Sequence, residues 1–190
     1  MGEEYLTQVK VPKARIAVVI GKGGSTKREL EEATGCKLYV DTADNYVSIN
    51  SPDPLKLYSV QQIIKGIARG FSPRKALLLL KSDYVLEIIE LRTLVKKQHM
   101  IRVKGRVIGE RGKSRATLEH LTDTFISVYG KTISIIGRPE SVALAKRAIL
   151  NLIQGSPHAN VYKWLEKRRS ELAARELLGP EYIKEDYKDE

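Results

Sequence analysis

The segment Val19-Ile20-Gly21-Lys22-Gly23-Gly24 returns 88 residues later as Val107-Ile108-Gly109-Glu110-Arg111-Gly112. The likeness extends beyond the glycines. At the same offset Leu30 matches Leu118, Glu31 matches Glu119, Thr34 matches Thr122, Val40 matches Val128, and Lys27 meets Arg115. Further on, Val47-Ser48-Ile49 is echoed by Ile133-Ser134-Ile135, and Gly70-Phe71-Ser72-Pro73 by Gly155-Ser156-Pro157. Self-similarity at a fixed spacing constrains architecture more than any composition. Two copies are too few for a solenoid, so the chain reads as a tandem duplication of one compact domain. A length of 190 residues accommodates two such units, each near the lower limit of independent stability.

The repeated loops sit in basic surroundings. Lys10, Lys13, Arg15, Lys22, Lys27 and Arg28 form a stretch without a single acid. Arg102, Lys104, Arg106, Arg111, Lys113 and Arg115 form its counterpart, interrupted by Glu110. With a net charge of +10, the pairing of both stretches with the same loop points to a polyanionic partner. No apolar run approaches the roughly 20 residues of a membrane helix. The acidic start at Glu3 and Glu4 does not read as a secretory signal. A lone Cys36 can form no intramolecular disulfide, which fits a cytoplasmic protein, and His99, His120 and His158 lack metal-ligand spacing.

Periodicity supplies the frame around each loop. In the first unit Thr7, Val9 and Val11 alternate as a strand up to Pro12, and Lys13 to Ile20 is a short helix ending at Gly21. Ser25 or Thr26 is placed to cap a second helix that runs to Gly35 with Leu30 and Ala33 inward. Strands follow from Leu38 and from Tyr46 to Asn50, around a turn at Thr42–Asn45. Asp53-Pro54 then opens a long helix with Leu57, Val60, Ile63, Ile64 and Ile67 on one face. The second unit repeats the order: a strand at 84–91, an insertion at 93–99, and helices at about 101–108 and 113–122. A hairpin about Tyr129-Gly130-Lys131 and a helix at 139–154 complete it. A linking helix is expected over 73–82, and a further helix from Ser156-Pro157 carries Val161, Trp164, Leu165, Arg168 and Leu172, with Trp164 packed in a core. The units thus divide as 1–72, 73–82, 83–178 and an acidic tail at 179–190.

Helix–GxxG–helix in a β-α-α-β-β-α order resembles the KH domain in its type I arrangement. The resemblance implies an α+β fold of two tandem KH domains, each a three-stranded antiparallel sheet packed on three helices. It also implies binding of single-stranded RNA, with each loop clamping the backbone of about four nucleotides. Physically, glycines allow the phosphodiester to approach the main chain, and amides opening the next helix favour anions. The resemblance makes Gly21, Lys22, Gly23, Gly24, Gly109, Glu110, Arg111 and Gly112 loop contacts. Lys13, Arg15, Lys27, Arg28, Arg106, Lys113 and Arg115 are flanking phosphate contacts. Glu110 departs from the pattern, because a carboxylate beside a phosphate is unfavourable unless it turns away or pairs with Arg106 or Lys113. Ile16, Leu30, Leu38 and Val40 are candidates for the base groove or, equally, for the core.

The whole chain also resembles a narrower family, the two-KH factors of small-ribosomal-subunit assembly found in archaea and eukaryotes, which partner the Nob endonuclease. That likeness rests on Tyr84-Val85-Leu86-Glu87-Ile88-Ile89, Lys104-Gly105-Arg106-Val107-Ile108-Gly109 and Gly155-Ser156-Pro157-His158. It implies rRNA near the small-subunit 3′ end as ligand and calls for no cofactor, metal or catalytic residue. The residues alone lead only to single-stranded RNA or DNA. A protein-interaction scaffold is the alternative, although both loops are intact. A nucleotide-binding P-loop at Gly112-Lys113-Ser114 fails because Val107 stands where its first glycine must be.

Overall fold

A computed structural model describes residues 4–178. In the first unit, β1 (Tyr5–Lys10) ends at Pro12, which has no N–H to continue a ladder. It leads into α1 (Lys13–Ile20), a single 3₁₀ turn over Lys22–Gly24, and α2 (Ser25–Thr34). A hairpin of β2 (Lys37–Asp41) and β3 (Tyr46–Ser51) follows, then α3 (Pro54–Ala68). The carboxylate of Asp53 accepts from the amides of Leu55 and Lys56 and, with Pro54 in the first turn, fixes where α3 begins. The sheet is antiparallel in the order β1-β3-β2. Its inner face and the apolar stripe of α3, from Val60 through Ile63 and Ile64 to Ile67, enclose the core.

Two local expectations fail in α2. Gly24, in the left-handed conformation, occupies the N-cap, and neither Ser25 nor Thr26 caps with its side chain. Ala33 is exposed, and Thr34 is buried in its place. The buried hydroxyl is satisfied by donating to the Leu30 carbonyl, 2.6 Å away, and Thr122 repeats this with Leu118 at 2.7 Å.

The connection folds as α4 (Pro73–Ala76) and a 3₁₀ turn over Leu77–Leu80. The second unit then lays down β4 (Val85–Glu90), and the expected insertion becomes α5 (Leu91–Leu94) with a 3₁₀ turn over Lys97–His99. Next come α6 (Met100–Ile108), the turn Glu110–Gly112, α7 (Lys113–Thr122), β5 (Phe125–Tyr129), β6 (Thr132–Gly137) and α8 (Pro139–Gln154). The sheet order β4-β6-β5 reproduces that of the first unit. A long α9 (His158–Leu178) packs on this unit through Val161 and Leu165. Half-buried Trp164 joins the same core, with the Arg147 guanidinium 5.1 Å from its ring centre. The acidic tail inferred for 179–190 lies outside the described residues.

The units are not beads on a string. Every residue of β6 is buried, which requires cover on both faces of the second sheet. Ile133 and Ile135 point into their own unit's core, whereas Ile136 belongs to the first unit's cluster with Phe71, Ala76 and Leu79. Around it, Ser127 donates to the Arg69 carbonyl at 2.9 Å, Lys75 lies over the Phe125 ring and Arg15 over the Tyr129 ring. A Cβ at Gly70 would sit 2.6 Å from Ser127 Oγ, so the close approach of the two units demands glycine there. The end of α3 and the link thus form the second layer over the second unit's sheet.

Candidate nucleic-acid interface

The two loops have the same backbone. Gly21 and Gly109 leave their helices at φ 75°, ψ 175° and φ 72°, ψ 177°, and Gly24 and Gly112 close the turn at φ 78° and 80°. The two outer glycines are required for different reasons. A Cβ on Gly21 would fall 2.4 Å from Thr26 Oγ1, and one on Gly109 would fall 2.6 Å from Ser114 Cβ. The first glycine therefore lets the incoming helix rest against the first turn of the outgoing one. Nothing lies within 4 Å of a Cβ on Gly24 or Gly112, so the closing glycine supplies the left-handed turn and an open surface outside it. No side chain caps α2 or α7; instead the first amides of the two helices, those of Ser25 and Lys113, donate to the carbonyls of Lys22 and Glu110 and close the turn.

The third loop position differs between the units. Gly23 adopts φ 58°, and Arg111 is forced to φ 51°, a left-handed conformation that costs a non-glycine residue about 1–2 kcal/mol. The more permissive loop is braced, since Arg28 donates to the Gly23 carbonyl at 3.1 Å. Ala116 stands at the corresponding place in the second unit and cannot do this. Lys22, Gly23, Glu110 and Arg111 are all exposed. Among the described residues Glu110 pairs with neither Arg106 nor Lys113, so its carboxylate stands in the open beside the loop.

The structure divides the flanking cations expected to hold phosphates. Lys13, Lys113 and Arg115 are exposed, and Lys27 is half-buried beside the loop. Lys27 and Arg115 lie 3.8 and 3.9 Å from Glu31 and Glu119, one helical turn on. Those two acids also accept from the amides of Leu38 and Ile126, at 2.8 and 2.7 Å, which ties each post-loop helix to its edge strand. The tie was missed from sequence, although the Glu31–Glu119 identity at the repeat spacing signalled it.

The guanidiniums of Arg15 and Arg106, expected to flank phosphates, are engaged with the protein's own backbone. Arg15 donates to the carbonyls of Ile67 (2.8 Å) and Phe71. Arg106 donates to those of Leu152 (3.0 Å) and Ser156 (2.7 Å). Both guanidiniums turn inward to the C-terminal end of a long helix, where the dipole favours a cation; the Ile67 and Leu152 carbonyls they reach also accept from the amides of Gly70 and Gly155. Burial lowers the Arg15 pKa from its ordinary value, while nearby Tyr129 acts in the opposite sense. The Arg106 carbonyl in turn accepts from His158 Nε2 at 2.8 Å, which fastens the start of α9 to the pre-loop helix.

The candidates for the base groove divide as well. Ile16, Leu30 and Leu38 are core residues, and only Val40 is half-buried. The unburied face of α1 instead runs Lys13–Ala17–Ile20, and that of α6 runs Ile101–Gly105–Ile108. This i, i+4, i+7 spacing was available in the sequence. Ile101, 81% exposed, stands where the first unit has Lys13, so the two grooves differ in character.

Comparison with known proteins agrees with this geometry. Residues 6–65 match the KH domain, and residues 85–170 match the eukaryotic-type, type I KH domain of the second unit of Pno1. A KH domain-containing protein of Methanocaldococcus jannaschii is 43% identical over 169 residues, covering 86% of this chain and 74% of that one. The pre-rRNA-processing protein pno1 of Aspergillus fumigatus is 31% identical over 119 residues; the match covers 60% of this chain and about half (47%) of the fungal protein. Among solved structures, a complex of a/eIF2alpha, aDim2p and rRNA from Pyrococcus horikoshii contains a chain with a TM-score of 0.84 and 42% identity. That match covers 88% of this chain and 96% of the other. The chain therefore belongs to the family of two-KH proteins that includes Pno1 and Dim2p.

Proposed function

We propose that this protein binds single-stranded RNA near the 3′ end of small-subunit rRNA and acts in assembly of the small ribosomal subunit. The observation that carries the reading is the duplicated loop. Two Gly-x-x-Gly turns of the same backbone conformation each present an open, glycine-closed surface and exposed cations, at Lys22 and Lys13 in one unit and Arg111 and Lys113 in the other. The names of the relatives, an rRNA complex and a pre-rRNA-processing protein, support the ligand. The mechanism is binding without chemistry. Each loop clamps a stretch of sugar–phosphate, and the half-buried apolar residues Ile20, Val40 and Ile108 offer bases a surface to lie on. Because the units share a core, their loops are held in fixed relation, so an RNA spanning both is read in one register. Linked sites of this kind raise avidity by roughly 10²–10⁴. A Nob-type endonuclease, acting at that rRNA end in the cytoplasm, is the protein partner we propose, and a/eIF2α is a second candidate.

The test is fluorescence-anisotropy titration with a ~12-nucleotide copy of the rRNA 3′ terminus, enough for both loops at about four nucleotides each. A shuffled strand and the DNA equivalent serve as comparisons. The rRNA strand should bind more tightly than either, with affinity falling steeply as salt rises. Lys22→Asp with Gly23→Asp, at exposed positions, should lower affinity while the protein still unfolds cooperatively, its stability lower by no more than the roughly 1–2 kcal/mol that a non-glycine residue costs at the left-handed Gly23. Equal, salt-insensitive binding to every strand would refute the reading.

A further inference from the structure

The two sheets present equivalent outer faces, and among the described residues only that of the second unit is covered by another layer. In the second unit the register aligns Leu86–Ile136–Phe125, Ile88–Ser134–Ser127 and Glu90–Thr132–Tyr129 across β4, β6 and β5. This face lies against the first unit. The corresponding rows of the first sheet are Leu6–Asn50–Lys37, Gln8–Ser48–Tyr39 and Lys10–Tyr46–Asp41. Burial alternates strictly along β3: Val47, Ile49 and Ser51 are buried, and Tyr46, Ser48 and Asn50 face outward. Leu6 is 65% exposed and Tyr39 57% exposed.

We propose that this outer face is a second contact surface for single-stranded RNA, with one base stacked on Tyr39 and the phosphates beside it near Lys37 and Lys10. The proposal rests on the RNA-binding reading above and adds a site outside the loop and groove. Three observations carry it. First, the two faces differ most in one row: the covered sheet has Leu86, Ile136 and Phe125 there, beside a polar remainder of Ser127, Ser134, Thr132 and Glu90, whereas the first sheet has Leu6, Asn50 and Lys37. The first unit's face has an open aromatic ring, two carboxamides, a hydroxyl and two lysines. That mixture suits stacking and hydrogen bonding to unpaired bases.

Second, among the described residues the two acids that meet the face are both engaged: Asp41 turns its carboxylate into the β2–β3 turn, where it accepts from the amides of Ala43 and Asp44 at 2.8 and 3.1 Å, and Glu4 accepts from the Asn50 carboxamide at 2.7 Å, at the far end of the face from Lys10. Third, the face is continuous with the proposed groove. Strand β2 carries Val40 on the inner side and Lys37 and Tyr39 on the outer side, and it is the sheet's edge. A strand leaving the groove has only to turn around that edge to reach Tyr39. The amide of Gln8 already donates to Ser48 at 3.2 Å in the same row, which preorders the polar centre of the face.

The experiment compares a short RNA of about six nucleotides, enough for one groove, with one of about 14 nucleotides. Tyr39→Ser should weaken the longer strand by about 5-fold or more, the lower end of what one base stacked on an aromatic ring contributes. It should leave the short strand within about 2-fold, and Tyr39→Phe, which retains the ring, should behave as wild type. In the unmodified protein, a 4-thiouridine in the longer strand should crosslink to the peptide containing Tyr39, a readout that depends on no variant folding. Unchanged binding of both strands by Tyr39→Ser, or no crosslink to β2, overturns the proposal and leaves the face to a protein. If Lys22→Asp with Gly23→Asp also has no effect on either strand, the RNA-binding reading has failed with it.

Discussion

The two loops keep one backbone and fill it with opposite compromises. The first unit places glycine at the left-handed third position and restores order with Arg28, which bonds the Gly23 carbonyl. The second places Arg111 there, accepts the strain, and has Ala116 where the brace would be. One loop is relaxed and held from outside; the other is strained and carries its cation at the point of strain. In a duplicated fold the backbone path is inherited strictly, and the two copies diverge in how they stabilise it.

The strongest way to break this comparison is at the glycines. Gly21→Ala should destabilise the first unit by about 3 kcal/mol or more, because the new methyl meets Thr26 and φ stays positive. Gly24→Ala, with open space around it, should cost only the left-handed conformation, about 1–2 kcal/mol. Denaturant unfolding of the two variants reads the difference, and equal losses would mean that the close approach at Gly21 is not what holds the turn. Next in size is Arg106→Ala. It removes two hydrogen bonds from the end of α8 and should cost about 2 kcal/mol, with a lowered unfolding midpoint in buffer free of RNA. A variant as stable as wild type would return Arg106 to the list of phosphate contacts. The smallest stability effect, and opposite in sign, belongs to Arg111→Gly. Relief of the strained φ should stabilise the protein by about 1 kcal/mol, while RNA affinity falls by about 10-fold through the lost charge-assisted contact. Loss of stability on this change would show that the Arg111 side chain supports the loop.

Most of the fold was legible because two independent copies of one pattern had to agree. Strand alternation, Asp53-Pro54 and the α3 stripe marked each element where it stands. What was not legible depended on how elements meet. Nothing local separates Arg15 and Arg106 from Lys22, since all are basic residues near the loop. Only the packing of α3 and α8 brings the carbonyls at and just past their C-terminal ends within reach of the two arginines. The two arginines are not even equivalent in the repeat: Arg15 aligns with Val103 and Arg106 with Val18, about one helical turn apart. Each reaches the same two carbonyl positions from a different place. Ala33 and Thr34 were exchanged for a related reason, since a buried threonine that bonds its own helix looks like a surface residue to hydropathy alone.

The shared core between the units has a consequence for synthesis. Phe71, Ala76 and Leu79 leave the ribosome well before Ile136, the residue of β6 that joins them. With about 65 residues between Phe71 and Ile136, and chains growing at roughly 5–20 residues per second, this apolar patch waits several seconds for its cover. During that interval the nascent first unit is folded but sticky, and it serves as the template on which the second sheet closes. Exchanging the order of the two halves would lengthen neither unit, yet it would remove that template at the moment β6 needs it.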